Sequence, residues 1–424
     1  MKRILFIAEH AYPIKSSESI CNSKVAYTLA KAGYKVDVFT CTQKGTYEFD
    51  NVIDSKLQES ENLNIYKIET KNAAYFLSKS KSIFENLKVV FSLLKMKIKT
   101  GYFYNGMAVA HDILCAIKEH EKKFTEFPYD VIITRAYRAE LAAIYLKEKY
   151  NIKWIANWND PYPGCRFPKP YGAGPNSRID FGYKRVYNKV RKLVDLHTFP
   201  SERLKNYMIN SFKTVNPNKT VVIPHMAHSE LLTQLDNKKD NKCLKFVSCG
   251  SVSYPRNPAL FIAALKNIVS EMNLSDEDIK CYFVGEYDTN LANIIKEKKL
   301  DGIVELLGSK KYTDCLEFIT SCNLSLIIEA QCEEGIYLPT KFADAVQCRV
   351  PVFCVSPNKG TLHDMVDKYH NGYYCDNKSI KSIESALRQA IIDYKNNQFP
   401  IVSKSNMEYF FEDRILEQFN AILL

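Results

Sequence analysis

Three stretches of the chain place charged and hydroxyl groups where they could bind phosphate or move a proton. In FVSCGSVSYPRNPALFIAAL (246–265) a glycine turn ends an apolar run, Arg256 follows, and a helix opens near Pro258. Arginine is always charged and its planar guanidinium can hold two phosphate oxygens at once, while a helix start adds partial positive charge. The constellation is shaped for a diphosphate. In LIIEAQCEEGIYLPTKFADAVQCRVPVF (326–353), Thr340 and Lys341 stand at a helix start, and Asp344 falls three residues on, on the same face. An acid there can accept both hydroxyls of a ribose while Lys341 and the helix start stabilise phosphate charge; the same residues also make an ordinary capped helix. In WIANWNDPYP (154–163), Pro161 biases Asp160 away from helix and holds it extended beyond a strand. The glycine- and proline-rich FPKPYGAGPNSRIDFG (167–182) then reads as a long loop suited to a second substrate.

The first strand-to-helix turn, AEHAYPIKSSESICNS (8–23), contains no glycine, which argues against a nicotinamide or flavin dehydrogenase. Its serines, Ser16, Ser17 and Ser19, could hydrogen-bond a substrate or cap the helix that follows. No phosphate loop of the G-x-x-x-x-G-K-[ST] type occurs, which argues against a P-loop ATPase. Asp276 and Asp278 form a D-x-D, but it precedes a strand and so sits at the wrong end of a sheet for a metal. His225 and His228 have H-x-x-H spacing without a nearby acid, so zinc is not expected either.

The elements that must position these residues alternate. RILFIA (3–8), a helical SKVAYTLAKAG ending at Gly33, and KVDVFT (35–40) form a β-α-β unit. Strand-length apolar runs recur at 63–68, 130–134, 152–156, 195–199 and 220–224, and again at 244–249, 279–284, 303–308, 323–328 and 349–354. Near-continuous apolar strands separated by helices imply parallel sheets covered on both faces. The expected fold is α/β, with two tandem doubly wound Rossmann-like domains facing a cleft. We expect a first domain over 1–225, a linker over 226–243 centred on the polar LLTQLDNKKDNKC, a second domain over 244–400, and a final amphipathic helix within 401–424 that packs back toward the first domain. In such sheets ligands lie beyond the carboxyl ends of the strands.

The length, 424 residues, exceeds what one hydrophobic core commonly holds, and the 46% apolar content excludes disorder as the main state. No apolar run is long enough to cross a membrane, and the short run before Glu9 is too brief for a signal-peptide core, so a cytosolic protein is expected. The 13 cysteines are odd in number and form no C-x-x-C pair; they read as reduced core residues. The net charge of +10 is concentrated in 71–99 and 166–192, a basic face that could meet an anionic lipid or a phosphorylated ligand. SIFENLKVVFSLLKMKIK (82–99) has the composition of an in-plane membrane helix, or of a sheet-covering helix with lysines reaching to solvent. No nucleic-acid module is recognised.

The segments GSVSYPRNP and PTKFADAVQCRVPVF, with WNDPYP and the IPH of 223–225, resemble glycosyltransferases of the GT-B fold, family 4, of the bacterial surface-glycan kind. The resemblance covers nearly the whole chain. It implies a retaining, metal-independent transfer of a sugar from a nucleotide-sugar donor, which is a substrate and not a cofactor, to a glycan or lipid-linked acceptor. No separate cofactor is implied, and contact with an anionic membrane would be peripheral. It makes the first domain acceptor-binding and the second donor-binding. Arg256 would contact the diphosphate, Asp344 the ribose, Thr340 and its backbone the phosphates, and Gly250 and Ser251 would allow close approach. Arg256 and Lys341 would stabilise the leaving diphosphate, and Asp160 would orient or deprotonate the acceptor hydroxyl. The family's paired acids lie eight apart, and here Ile336 stands eight before Asp344, so Glu333 or Glu334 fits with a local shift. Arg135, in IITRAYR, occupies the neighbourhood of a histidine common after the fourth strand, on the acceptor side with Ser16 and Ser17. A non-catalytic nucleotide-sugar-binding protein or a sugar-nucleotide epimerase on the same fold is the alternative.

Overall fold

The computed structural model describes residues 2–42, 50–70, 90–91, 94–98, 101–102, 104, 107–135, 137–211, 215–232 and 242–424. The first lobe is built on β1 (Arg3–Ala8), β2 (Lys35–Cys41), β3 (Leu63–Ile68), β4 (Val131–Arg135), β5 (Lys153–Asn157), β6 (Leu196–Phe199) and β7 (Thr220–Val222). They form one sheet in the order β3-β2-β1-β4-β5-β6-β7. The second lobe carries β8 (Leu244–Cys249), β9 (Ile279–Val284), β10 (Val304–Gly308), β11 (Leu324–Ile328), β12 (Val352–Ser356) and β13 (Gly372–Asp376), in the order β10-β9-β8-β11-β12-β13. Every pairing in both sheets is parallel. Strand order reverses between β1 and β4 and between β8 and β11, and at such a reversal the flanking helices diverge and leave a crevice. The chain therefore has two doubly wound Rossmann-like lobes that face each other across a cleft.

Helices cover both faces of each sheet, which is why the central strands are apolar throughout and not alternating. One face of the first sheet is packed with Ile132, Trp154, Ile113 and Val190, and the Trp154 indole N–H donates to Thr134 Oγ1 at 2.9 Å. The opposite face carries Ile4, Phe6, Val36 and Ile133, joined there by Ile415, Phe419, Ile422 and Leu423 of the last helix, Glu412–Leu423. That helix is covalently beyond the second lobe but completes the core of the first. The second sheet buries Phe246, Phe261, Phe353 and Leu387 on one face.

Two chain crossings join the lobes side by side: Ala227 pairs in parallel with Phe411, and the Ala227 N–H donates to Phe410 O at 2.8 Å. Polar contacts add to this. Asp50 accepts from the Thr313 N–H and hydroxyl at 2.7 and 2.5 Å, Ser201 donates to Ile336 O at 2.7 Å, and Arg203 binds Asp364 and Glu334.

The expected strand at 349–354 begins later, at Val352, because Pro351 has no N–H for the ladder. β13 is an additional strand: its GYYCD sequence, short and half-buried at the sheet edge, has too little apolar character to announce itself. Most of the expected linker, 233–241, lies outside the described residues, as does most of 82–99. Within the latter, Val90, Phe91, Leu94 and Ile98 are exposed and Met96 is buried.

Candidate active site

Between the lobes, at the carboxyl ends of β1, β5, β8 and β11, lies a cavity of about 470 Å³. Its second-lobe wall starts at the turn after β8. Gly250 has φ +92°, a conformation that L side chains rarely adopt, and a Cβ there would come within 3.1 Å of Lys341 Cε. The glycine thus lets the Lys341 side chain lie against the turn, where Nζ donates to Ser251 O at 3.3 Å. Ser251 Oγ lies 2.9 Å from Ser253 Oγ. The Arg256 N–H closes the turn on Ser253 O at 3.0 Å, just ahead of the helix Ala259–Glu271.

Lys341 and Arg256 are like charges in one partly dehydrated space. Burial, followed by the Arg256 charge, lowers the Lys341 ammonium to about 8. Among the described residues, no carboxylate is in ion-pair contact with either cation. Thr340 is the first residue of the helix Thr340–Gln347, and Pro339 before it offers no side-chain cap. The Phe342 N–H turns back on Pro339 O at 2.9 Å, and the N–H groups of Thr340 and Lys341 remain for an anion at the cavity wall.

Asp344 also lines the cavity but is not idle. Its carboxylate accepts from the Tyr312 hydroxyl at 2.5 Å and lies 3.7 Å from Lys24 Nζ. Burial raises its pKa, with Lys24 and Tyr312 opposing. Lys24, only 1% exposed, comes from the first lobe and also donates to Met226 O, Tyr312 Oη and Gln347 Oε1 at 3.1, 3.0 and 2.8 Å.

On the first-lobe wall, Asp160 follows β5 in the extended stretch before Pro161. Burial pushes its carboxyl from 3.8 to about 6, and the positive charge of Arg256 across the cleft opposes the rise. Glu18 lies beside it on the helix Ser17–Lys31; burial and the charges of Glu9 and Asp160 push Glu18 to about 7. One oxygen of Glu18 and the Oδ1 of Asn159 are buried without a hydrogen-bond partner.

The cleft thus brings together Ser16, Ser17, Asp160, Gly250, Ser251, Arg256, Thr340, Lys341 and Asp344. Ser16, however, is committed to the helix: its hydroxyl accepts from the Ser19 N–H at 3.1 Å in a reciprocal capping box. Three expected residues do not line the cavity. Arg135 is 4% exposed and donates to Asn22 Oδ1 at 2.6 Å beneath the first loop. Glu334 is held by Arg203 and Lys359, and Glu333 points to solvent.

Several lining residues were not anticipated: Glu329, Glu18, Tyr171, Tyr337, Tyr312 and His225. A signal existed for Glu329, since an acid directly after a largely apolar strand must emerge at its carboxyl end. His225 is buried and its pKa is lowered to about 3, chiefly by burial, so it is neutral. His228, likewise buried, packs against Tyr27. Among the described residues there is no group of three or more His, Cys, Asp or Glu arranged to hold a metal ion, and no helix is long and apolar enough to cross a membrane.

Residues 233–401 match the family model of glycosyl transferases group 1. No curated protein matches the sequence significantly. Among solved structures, Anabaena HepE in complex with UDP and glucose superposes with a TM-score of 0.64 at 14% identity, covering 100% of this chain and 99% of that one. Sucrose-phosphate synthase from Thermosynechococcus elongatus gives 0.68 at 14% identity, covering 100% and 98%. A TarM mutant from S. aureus, in complex with Fondaparinux, alpha-GlcNAc-glycerol and UDP, gives 0.64 at 14% identity over the whole of both chains. At such identity the likeness is one of fold: with its two facing Rossmann-like lobes the chain has the GT-B fold, and its second lobe is similar to glycosyl transferases group 1.

Proposed function

We propose that the protein is a retaining, metal-independent glycosyltransferase of the family 4 type, which moves a sugar from a nucleoside-diphosphate donor to a glycan or lipid-linked glycan acceptor in surface-polysaccharide synthesis. The observation that carries the reading is the pair Arg256 and Lys341, two cations without a contacting carboxylate, set at the β8/β11 reversal opposite Asp160. As the sugar–phosphate bond loosens, negative charge grows on the departing diphosphate. Arg256, Lys341 and the start of the helix Thr340–Gln347 line one partly dehydrated space, where stabilisation of such charge is strongest. Asp160, largely ionised at neutral pH, accepts a hydrogen bond from the acceptor hydroxyl and so orients it toward the sugar. A lipid-linked acceptor would bring the enzyme to the inner face of the membrane, with the lysine-rich first lobe toward anionic headgroups; nucleic acid has no part in this reading.

The test is thermal shift against UDP-, GDP- and ADP-sugars, followed by product analysis. One donor should raise the melting temperature by mass action, about 2.7 kcal/mol of stabilisation at a hundred times its Kd. Arg256→Ala should abolish that shift, leave the melting temperature without nucleotide unchanged, and slow transfer by roughly 100-fold or more. The absence of a shift with every nucleotide sugar refutes the reading. Binding without turnover marks a non-catalytic protein, and conversion of donor without acceptor marks an epimerase.

A further inference from the structure

Glu329 follows β11 directly and is 4% exposed. Its backbone is fixed on both sides: its N–H donates to Val355 O at 3.0 Å, and its carbonyl accepts from Asn377 Nδ2 at 3.1 Å. The side chain lines the cleft cavity from one side of the β8/β11 reversal, and Arg256 lines it from the other. The carboxyl packs against Gly335, where a Cβ would lie 3.0 Å from Oε2, and that oxygen has no hydrogen-bond partner. A buried carboxyl without a partner is costly, and nothing in the fold itself makes use of it. The titratable groups that face it are Arg256 from the turn after β8, Tyr171 from the loop after β5, Cys354 of β12 and Cys332 of the loop after β11. Arg256 is the one cation among them.

We propose that Glu329 competes with the donor diphosphate for the Arg256 guanidinium, so that the diphosphate binds the form in which Glu329 carries a proton and offers an O–H to the ligand. The proposal rests on the cleft being a nucleotide-sugar site. An ionised Glu329 would offset the Arg256 charge and repel phosphate. A protonated one leaves Arg256 free and adds a hydrogen-bond donor. Burial already pushes the Glu329 carboxyl to about 8, with Arg256 opposing. An anionic diphosphate in the same dehydrated cavity strengthens its hold on the proton further. Diphosphate binding is therefore linked to proton uptake, and affinity falls as pH rises past about 8. Lys341, whose ammonium sits at about 8, titrates over the same range and must be separated from Glu329.

Isothermal titration of the full chain with UDP, GDP and ADP, from pH 6.5 to 9.5 and in buffers of different ionisation enthalpy, tests this. For the nucleotide that binds, affinity should fall by up to about tenfold per pH unit above pH 8, with net proton uptake. Glu329→Gln keeps an N–H donor but cannot ionise; it should bind more tightly than the wild type at pH 9 and fall less steeply, by the share left to Lys341. Lys341→Met should weaken binding at every pH and retain the fall. A wild-type affinity that is flat with pH, or binding without proton uptake, overturns the proposal whether or not the variant folds. A Glu329→Gln protein that reproduces the wild-type fall also overturns it and assigns the effect to Lys341. Failure of all three nucleotides to bind the wild type at any pH instead refutes the nucleotide-sugar reading on which the proposal rests.

Discussion

Lys24 Nζ, on a helix of the first lobe, lies 3.7 Å from the Asp344 carboxylate at the cavity wall of the second. The ammonium is almost wholly enclosed and also donates to three neutral acceptors drawn from both lobes. The same acid that faces the cavity is thereby a fastening between the two halves of the protein. Removing one partner of a buried pair leaves the other uncompensated. Lys24→Met should lower unfolding stability by about 3–5 kcal/mol. Adding Asp344→Asn should restore part of that loss, and a double-mutant cycle by urea unfolding measures the coupling.

At Gly250, alanine meets two obstacles: the φ of +92° and the Lys341 chain 3.1 Å from the new Cβ. Gly250→Ala should cost about 1–3 kcal/mol in urea unfolding. Displacement of Lys341 should in addition weaken donor-induced thermal stabilisation. An alanine variant with wild-type stability and donor response would show that the turn relaxes freely.

In the proposed transfer, Asp160 sets the acid limb. Its carboxyl is raised from 3.8 to about 6 by burial, so kcat/KM should climb with pH and level off above about 6. Asp160→Asn should flatten that limb and lower the rate by about 10²–10⁴. The stability effect has the opposite sense. Between 3.8 and 6 the native state holds a proton that the unfolded chain releases, so stability falls as pH rises through that window, and the asparagine variant loses this contribution. Denaturant titrations at pH 4, 5 and 6.5 check it.

Cys249, at the end of β8, and Cys315, on the helix Tyr312–Ser321, both line the cavity, and the Cys249 thiol donates to Cys315 O at 3.9 Å. The two neighbouring thiols also act on each other, which lowers the Cys315 pKa and raises that of Cys249. Iodoacetamide near neutral pH should modify Cys315 faster than Cys249, and a bound nucleotide sugar should slow the reaction. Peptide mapping by mass spectrometry after timed labelling gives the order.

The strands were legible because a parallel sheet sandwiched by helices needs apolar residues at consecutive positions, as in ILFIA and LSLII, and few other elements are built that way. The helix start at Thr340 was legible from proline followed by polar residues. β13 was not, because an edge strand needs little burial. The shared site was legible only where a motif places its residues locally. The Asp344 partners Lys24 and Tyr312 come from two other helices, one in each lobe, and no local spacing announces such a meeting. Acids were sought near Glu333 and Glu334, close to Asp344 along the chain, whereas the acid that reaches the cavity, Glu329, stands at the strand end itself.

The return of the last helix onto the first sheet makes the lobes inseparable as expression fragments. A polypeptide ending near residue 232 would leave Ile4, Phe6 and Val36 without the cover of Phe419 and Leu423, and one starting near 242 would trail a greasy helix with nowhere to dock. Because Ala227 and Phe411 run side by side, the halves are also joined by a doubled strap instead of a single tether. Opening of the jaws is thereby restricted to bending across that strap, while free swivelling is denied.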